Sequence, residues 1–321
     1  MHRDRSWLSP VGGLCIVAFL VWRVGAGPFV DAVRHLDAGS VAVAAAIALV
    51  TTVCGAWRWV LVARGLGAEL TLRTAVSESY RSQFLNVTLP GGVLGDVHRG
   101  VRHGRDGGDL GRGLRSVVWE RSAGQVVLAA VTGTVLLLVP VTPEMRSGTG
   151  VLVVCVVAGL ASVAIGAFVV GRRTHGPDSR VVRMVRAVSA DLRSGVLGRR
   201  TWPGVIGSSA AVVVGHAATF VVAARAAGVT APATRLLPLA LVVLVAMSLP
   251  LNVAGWGPRE GAAAWAFGAA GLGAAAGVGT AVVYGVMALV SSLPGALVLT
   301  LGRRDRTRSA DLACAEGVAR G

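Results

Sequence analysis

Two stretches of the chain place acidic residues and arginines directly after prolines and glycines. The first is Asn86-Val-Thr-Leu-Pro-Gly-Gly-Val-Leu-Gly-Asp-Val-His-Arg99, and the second is Ser248-Leu-Pro-Leu-Asn-Val-Ala-Gly-Trp-Gly-Pro-Arg-Glu260. An arginine side chain can hold a phosphate through two parallel hydrogen bonds, and carboxylates can pair with those arginines or bind a cationic headgroup. Each stretch therefore predicts a binding site for a charged group.

The candidate binding or transport residues lie in these stretches and at the start of the apolar run after the first one. They are Asn86, Asp96, Arg99, Glu120, Arg121, Asn252, Arg259 and Glu260. The predicted helix breaks are Pro90, Gly91, Gly92, Gly95, Pro250, Gly255, Gly257 and Pro258. Pro258 suits a first helical position, where free N–H groups can bind an anion.

Simpler structural roles for the same residues remain open. Asp96 and Arg99 are three residues apart and can form an i,i+3 pair at a membrane edge. Glu120 and Arg121 can anchor a helix at the membrane surface. The two asparagines can cap backbone groups that the helix breaks set free.

Residue counts exclude several kinds of chemistry. All 31 basic residues other than histidine are arginine, so there is no lysine for a Walker-type phosphate site or a Schiff base. The four cysteines are scattered and the six histidines form no paired motif, which argues against a disulfide framework or a metal site. We expect no cofactor, no metal and no catalytic residue.

These residues must be positioned by helices in a membrane. Hydrophobic residues make up 54% of the chain and charged residues 15%, and runs of roughly 20 apolar residues are long enough to span a bilayer. We predict an all-α polytopic membrane protein of about six full spans plus two broken or re-entrant helical hairpins. The spans are predicted at about 8–25, 40–62, 116–139, 149–171, 203–226 and 276–301.

The two broken segments, 63–115 and 227–275, carry the motifs described above. Each is too charged or too interrupted for a simple span, so we expect a hairpin that dips into the membrane and turns back. If the arms of the second segment crossed fully as two short tilted spans, the total would be eight. Because the two segments resemble each other and enter from opposite sides, an inverted repeat is one interpretation.

Charge distribution predicts the orientation. Under this arrangement 23 arginines lie in cytoplasmic segments and three outside, so both termini are expected in the cytoplasm and the protein in the plasma membrane. One membrane domain, 1–302, precedes a basic, disordered tail, 303–321. A basic amphipathic helix at about 178–197 is expected on the inner leaflet, or alternatively as a solvated cytoplasmic helix.

Three motifs in order resemble a known family. Leu89-Pro-Gly-Gly-Val-Leu-Gly-Asp-Val-His-Arg99, then Glu120-Arg121, then Gly255-Trp-Gly-Pro-Arg-Glu260 are similar to the flippase-like membrane region of lysylphosphatidylglycerol synthases. In the best-known members a soluble aminoacyl-transferase domain makes lysyl-phosphatidylglycerol, and the membrane region is held to move it across the bilayer. Where relatives often read Gly-Gly-Asp, this chain has Leu94-Gly95-Asp96.

The resemblance implies a protein that binds and flips an anionic phospholipid or a lipid-linked headgroup. Few residues follow the last predicted span, so the synthetic activity of the transferase domain is not expected here. Alternatives are a non-transporting lipid-binding partner of a separately encoded transferase, and a membrane transferase with Asp96, Glu120 or Glu260 as base. The net charge of +15 is explained by orientation, so no nucleic-acid partner is expected.

The cytoplasmic C-terminus can be checked at Cys314. A membrane-impermeant thiol reagent should leave Cys314 unlabelled in intact cells and label it after permeabilisation, because the arginines from Arg303 to Arg308 hold the tail inside. Labelling in intact cells would show that the orientation is wrong.

Overall fold

The computed structural model describes residues 37–89, 93–139, 142–143, 147–148, 150, 190–248 and 258–300. The helices in these residues are α1 (Ala38–Gly65), α2 (Leu72–Thr88), α3 (Leu94–Asp106), α4 (Leu110–Leu138), α5 (Trp202–Ala226), α6 (Ala233–Met247), α7 (Pro258–Ala269) and α8 (Ala274–Ser292). A short π-helical turn covers Leu192–Val196. The described part of the chain contains no strand.

Four helices among the described residues are long and apolar enough to cross a membrane. They are α1, α4, α5 and the stretch Ala274–Thr300, in which α8 continues past a turn; their mean hydropathies are 2.0, 1.5, 1.9 and 2.0. They coincide with the predicted spans 40–62, 116–139, 203–226 and 276–301, so the all-α membrane class is confirmed. The predicted spans 8–25 and 149–171 lie outside the described residues.

Capping side chains and glycines define several helix ends. Asp37 accepts a hydrogen bond from the Ser40 backbone N–H at 2.7 Å at the start of α1, and Asp109 accepts one from the Arg112 N–H at 2.8 Å at the start of α4. Gly67, with a φ of 75°, lies just after α1, where a left-handed backbone favours glycine.

The short helices α2 and α3 form an antiparallel pair. Ser82 contacts Gly95 near one end of the pair, and Glu78 pairs with Arg102 further along. Arg112 lies in the first turn of α4, soon after α3 ends. Its side chain donates a hydrogen bond of 3.1 Å to the carbonyl of Gly67, which lies between α1 and α2. The chain therefore enters and leaves this pair at the same end of the bundle, next to the C-terminus of α1.

The short helices α6 and α7 form a second antiparallel pair. Arg235, at the start of α6, donates a hydrogen bond of 3.1 Å to the carbonyl of Ala270, just after α7. The chain enters and leaves this pair beside the C-terminus of α5.

The two pairs enter the bundle from opposite ends. Gly215 of α5 packs on Thr51 of α1, and Gly204 packs on Leu61, so α1 and α5 are antiparallel. The order of long, short, short and long helix occurs twice, as α1 to α4 and as α5 to α8. The second series therefore begins with a helix that runs opposite to the first.

Residues 190–197 lie beside the N-terminal end of α4. Asp191 contacts Arg115 at 3.1 Å and Trp119 at 3.3 Å, and both lie near the start of α4. The π-helical turn that follows packs on Gly65 through the Ser194 carbonyl. Of the predicted amphipathic helix, only residues 190–197 are described, and the tail 303–321 is outside the described residues.

Glycines set the closest helix contacts. A Cβ built on Gly113 of α4 would lie 2.4 Å from the backbone nitrogen of Gly104 in α3, and one built on Gly277 of α8 would lie 2.2 Å from the carbonyl oxygen of Ala263 in α7. Each short pair is thus joined to the long helix that follows it by a contact that excludes any side chain.

Gly113→Ala should destabilise the protein by about 1–3 kcal/mol, because the new methyl group would press on the α3 backbone, which has no room to move within a packed pair. Thermal unfolding in detergent measures this effect. Gly133→Ala, in the same helix and with no atom within 4 Å of the added Cβ, is the matched control and should unfold at or above the wild-type temperature. Equal midpoints for the two variants would contradict the close α3 to α4 packing.

Candidate functional site

Glu120 is the centre of a buried ion-pair cluster. It is 2% exposed on α4 and receives hydrogen bonds from two arginines of other helices. Arg58 of α1 donates from Nε and Nη2 to Oε1 at 2.9 and 2.5 Å, and Arg99 of α3 donates from Nη2 to Oε2 at 2.5 Å. A single carboxylate therefore ties together α1, α3 and α4.

Asp96 extends the cluster to the tip of the first helix pair. Its carboxylate pairs with Arg121 of α4 and, at 3.2 Å, with Arg99. The Asn86 amide and the Ser82 hydroxyl, both on α2, donate to the same carboxylate at 3.0 Å each. The predicted residues Asn86, Asp96, Arg99, Glu120 and Arg121 are therefore brought together in one place.

Asn86 also closes the tip of the pair. Its side-chain oxygen accepts a hydrogen bond of 2.8 Å from the Gly95 N–H, at the start of α3. Gly95 is the second residue of α3. A Cβ there would lie 2.1 Å from the Ser82 carbonyl oxygen, so the glycine is needed for the close approach of α3 to α2.

Arg58 was not among the candidate residues from sequence. It is 7% exposed, and besides Glu120 it donates a hydrogen bond of 3.0 Å to the Ser209 hydroxyl of α5. A single arginine within an apolar span was the available signal, because charges at membrane depth are functional candidates by default. Its partner lies 62 residues further along the chain, where no local pattern points to it.

The cluster carries an excess of positive charge. Its three arginines, Arg58, Arg99 and Arg121, outnumber its two carboxylates, Asp96 and Glu120, which leaves a net charge of +1. A buried excess charge is costly unless a counter-charge is near.

Contact with an aromatic side chain helps to hold Arg99 in place. The guanidinium carbon of Arg99 lies 4.6 Å from the ring centre of Trp59, whose indole N–H donates to the Ser116 hydroxyl at 3.0 Å. His103 packs edge-on against the same ring. Burial lowers the pKa of His103 and outweighs the opposing effect of Asp106.

A cavity of about 240 Å³ lies beside the cluster. Seven polar residues contribute to its wall: Arg58, Arg121, Gln125, Ser209, His216, Ser248 and Tyr284. The Arg121 side chain is 43% exposed, whereas Arg58 is almost fully covered. Polar groups inside an otherwise apolar wall are typical of a ligand site.

Both helix pairs reach this cavity with their tips. Val93, just before α3, lines it from the first pair, and Met247 and Ser248, at the end of α6, line it from the second. Ser248 Oγ donates a hydrogen bond of 2.6 Å to Oε1 of Gln125, which is near the middle of α4. The cavity thus lies about halfway along the long helices, between pairs that enter from opposite ends.

Arg259 and Glu260 form a separate ion pair at the start of α7. Arg259 is 4% exposed and donates from Nη2 and Nε to one Glu260 oxygen at 2.7 and 2.9 Å. Its guanidinium lies on Gly285 and 6.0 Å from the ring centre of Tyr284, a cavity residue. Pro258 is the first residue of α7, as the sequence predicts.

Arg99 and Arg259 are the arginines of the two sequence stretches that each predict a binding site. Neither residue lines the cavity, whose arginines are Arg58 and Arg121. Arg99 is covered by Trp59 and its two carboxylate partners, and Arg259 is separated from the cavity by Tyr284.

Several candidate residues cannot be placed. Pro90, Gly91, Gly92, Pro250, Asn252, Gly255 and Gly257 lie outside the described residues. Within the described ranges, no group of three or more His, Cys, Asp or Glu side chains is arranged to hold a metal ion.

Comparison with known families gives one match. A family model described as Lysylphosphatidylglycerol synthase TM region matches residues 6–295 of the chain. The chain belongs to this family. The match confirms the family that the three motifs predicted, and it identifies a multi-pass membrane protein connected with lipid metabolism or lipid flipping. Searches of curated proteins and of solved structures found no match.

Glu120→Gln should destabilise the protein by about 3–5 kcal/mol, because it leaves two buried arginines without their shared counter-charge. Thermal unfolding of the purified protein measures the change. Asp106→Asn removes the same charge from a carboxylate that is 69% exposed and 4.0 Å from Arg102, so its effect should be at most about 1 kcal/mol. A wild-type unfolding temperature for Glu120→Gln would contradict the central role of this carboxylate.

Proposed function

We propose that the protein binds the phosphate of an anionic phospholipid or lipid-linked headgroup in this cavity and moves the headgroup across the membrane. The observation that carries the proposal is the place of the cavity, between the tips of two helix pairs that enter from opposite ends, with Arg58 and Arg121 in its wall. A guanidinium group is well suited to bind a phosphate, since it offers two parallel N–H donors.

The two helix pairs are proposed to be re-entrant hairpins. The 17 residues of α2 and the 15 residues of α6 rise only about 25 and 22 Å, less than the ~30 Å of a hydrocarbon core. Their charged tips then lie inside the membrane, where polar backbone is tolerated only around a cavity or in contact with protein. The repeated order of long and short helices supports an inverted repeat, which is common in transporters.

Charge balance favours an anionic ligand. The cluster beside the cavity has an excess of one positive charge, and Arg121, which lines the cavity, has the most exposed side chain of the cluster. A phosphodiester headgroup brings one negative charge and would neutralise this excess. A cationic headgroup would increase it, and Asp96 and Glu120 are already bound to arginines.

Most of the described arginines near the two ends of the bundle lie at the end that contains Gly65. This distribution supports a cytoplasmic position for that end, with the protein in the plasma membrane. Those described at or near that end are Arg64, Arg73, Arg105, Arg112, Arg115, Arg193, Arg199 and Arg200, and those at the opposite end are Arg225 and Arg235. Short cytoplasmic loops accumulate arginine, so the first helix pair is proposed to enter from the cytoplasm and the second from outside.

The arrangement does not favour a membrane transferase. Asp96 and Glu120 are each bound to two arginines, and Glu260 is bound to Arg259. A carboxylate in such an ion pair is a weak proton acceptor, because protonation would break the pair. None of the three carboxylates is thus in a suitable state to act as a general base.

The proposal can be tested with Arg121→Gln in liposomes that contain fluorescent phosphatidylglycerol. The rate at which labelled lipid leaves the inner leaflet should fall on the order of tenfold to a hundredfold, because a charge-assisted hydrogen bond contributes about 1.5–3 kcal/mol. Arg225→Gln is the matched control. It removes the same charge from an exposed arginine at the end of α5 and should leave the rate unchanged.

Each outcome has a distinct meaning. Lipid movement by Arg121→Gln at the wild-type rate, with equal protein in the liposomes, would contradict the proposed site. Lipid binding without any movement by the wild-type protein would instead support the non-transporting partner of a separate transferase.

A further inference from the structure

His216 is a titratable residue in the cavity wall that the proposed lipid site does not use. It lies near the middle of α5, and its Nδ1 is 3.1 Å from the hydroxyl oxygen of Tyr284 on α8. The residue is exposed although it lies midway along a long apolar helix, and it lines the cavity. The ring thus joins two helices through this hydrogen bond and also borders the space where a ligand would bind.

Positive groups face His216 from two helices. Arg58 of α1 and Arg121 of α4 line the same cavity, and the carboxylates that balance them, Glu120 and Asp96, are bound to arginines. In an empty cavity these guanidinium groups repel a proton on the imidazole.

The other elements around the ring add no carboxylate to the cavity wall. Tyr284 of α8 faces the His216 ring. Arg259 of α7 lies next to the Tyr284 ring and is paired with Glu260. From α6 and the tip of the first helix pair, the described lining residues are uncharged. His216 is therefore the described lining residue whose side-chain type ordinarily titrates between pH 5 and 8.

We propose that His216 takes up one proton when an anionic headgroup enters the cavity and releases it when the headgroup leaves. The inference rests on the proposed lipid-binding function. A phosphate beside Arg58 and Arg121 brings a negative charge close to the imidazole, and an opposite charge within about 6 Å favours the charged form. The proton comes from water, and no covalent bond other than N–H is made or broken.

The hydrogen bonds of both ring nitrogens fit this change. Tyr284 holds Nδ1 in both states, because its hydroxyl oxygen can accept a hydrogen bond from Nδ1–H both in the neutral ring, where Nε2 carries no proton, and in the charged ring. The proton added at Nε2 can then be donated to a phosphate oxygen. Protonation thus gives the headgroup a third donor side chain besides the two arginines, and it couples lipid movement to a proton.

Binding of phosphatidylglycerol to the purified protein in detergent at pH 5.5 and pH 8 tests this coupling. The phosphodiester of this lipid stays singly charged across that range. We expect wild-type affinity to be higher at pH 5.5 on the order of tenfold, since a linked proton changes the affinity by up to tenfold per pH unit. In weakly buffered solution, addition of the lipid should also raise the pH as protons are taken up.

His216→Gln should bind with equal affinity at the two pH values, because glutamine keeps a polar side chain but does not titrate. His103→Gln is the matched control, since His103 packs on Trp59 away from the cavity wall, and it should keep the wild-type pH dependence.

Two results would overturn the proposed role of His216 and leave the proposed lipid site standing. They are wild-type binding that is independent of pH and takes up no proton, or full pH dependence in His216→Gln. Absence of phosphatidylglycerol binding at both pH values would overturn the proposed function, and the inference with it. Proton uptake by the wild-type protein keeps the test decisive if the His216 variant does not fold.

Discussion

The structure depends on the need to compensate a carboxylate buried among apolar helices. Glu120 is almost fully covered, and it is balanced by Arg58 and Arg99 from two other helices. Because an unpaired charge in this position costs several kcal/mol, the three helices must keep their relative places. The same constraint orients the first helix pair, since Arg99 also holds Asp96 at the tip of the pair, and Asp96 in turn holds Arg121 at the cavity.

Glycines make this arrangement of arginines possible. A Cβ on Gly124 of α4 would lie 2.9 Å from the guanidinium of Arg58, and one on Gly285 of α8 would lie 2.4 Å from that of Arg259. Each of these buried arginines thus uses the space left by a missing side chain on a neighbouring long helix. The high glycine content serves close helix packing at some positions and the accommodation of charged groups at these two.

Sequence patterns predicted the class of fold and most members of the ion-pair cluster. Long apolar runs identify spans because a bilayer sets their length, and acids next to arginines mark Asp96, Arg99, Glu120 and Arg121. The pattern could not show that Arg58 binds Glu120, because long-range pairing depends on how helices pack and not on local spacing. For the same reason it did not place His216 in the cavity wall, since a lone histidine in a span is ordinarily a packing residue.

In the proposed lipid transport, the permanent charges beside the cavity determine how the membrane voltage acts on the moving headgroup. Arginine stays protonated at any physiological pH, so the +1 excess of the cluster is constant. The charge that crosses the membrane is then set by the lipid headgroup and by any proton that binds in the cavity with it. A lipid anion that crosses alone gains or loses ~2.3 kcal/mol per 100 mV. A lipid anion that crosses together with a proton on His216 is electrically neutral cargo. Such a cycle is insensitive to voltage and is driven by the pH difference and the lipid gradient.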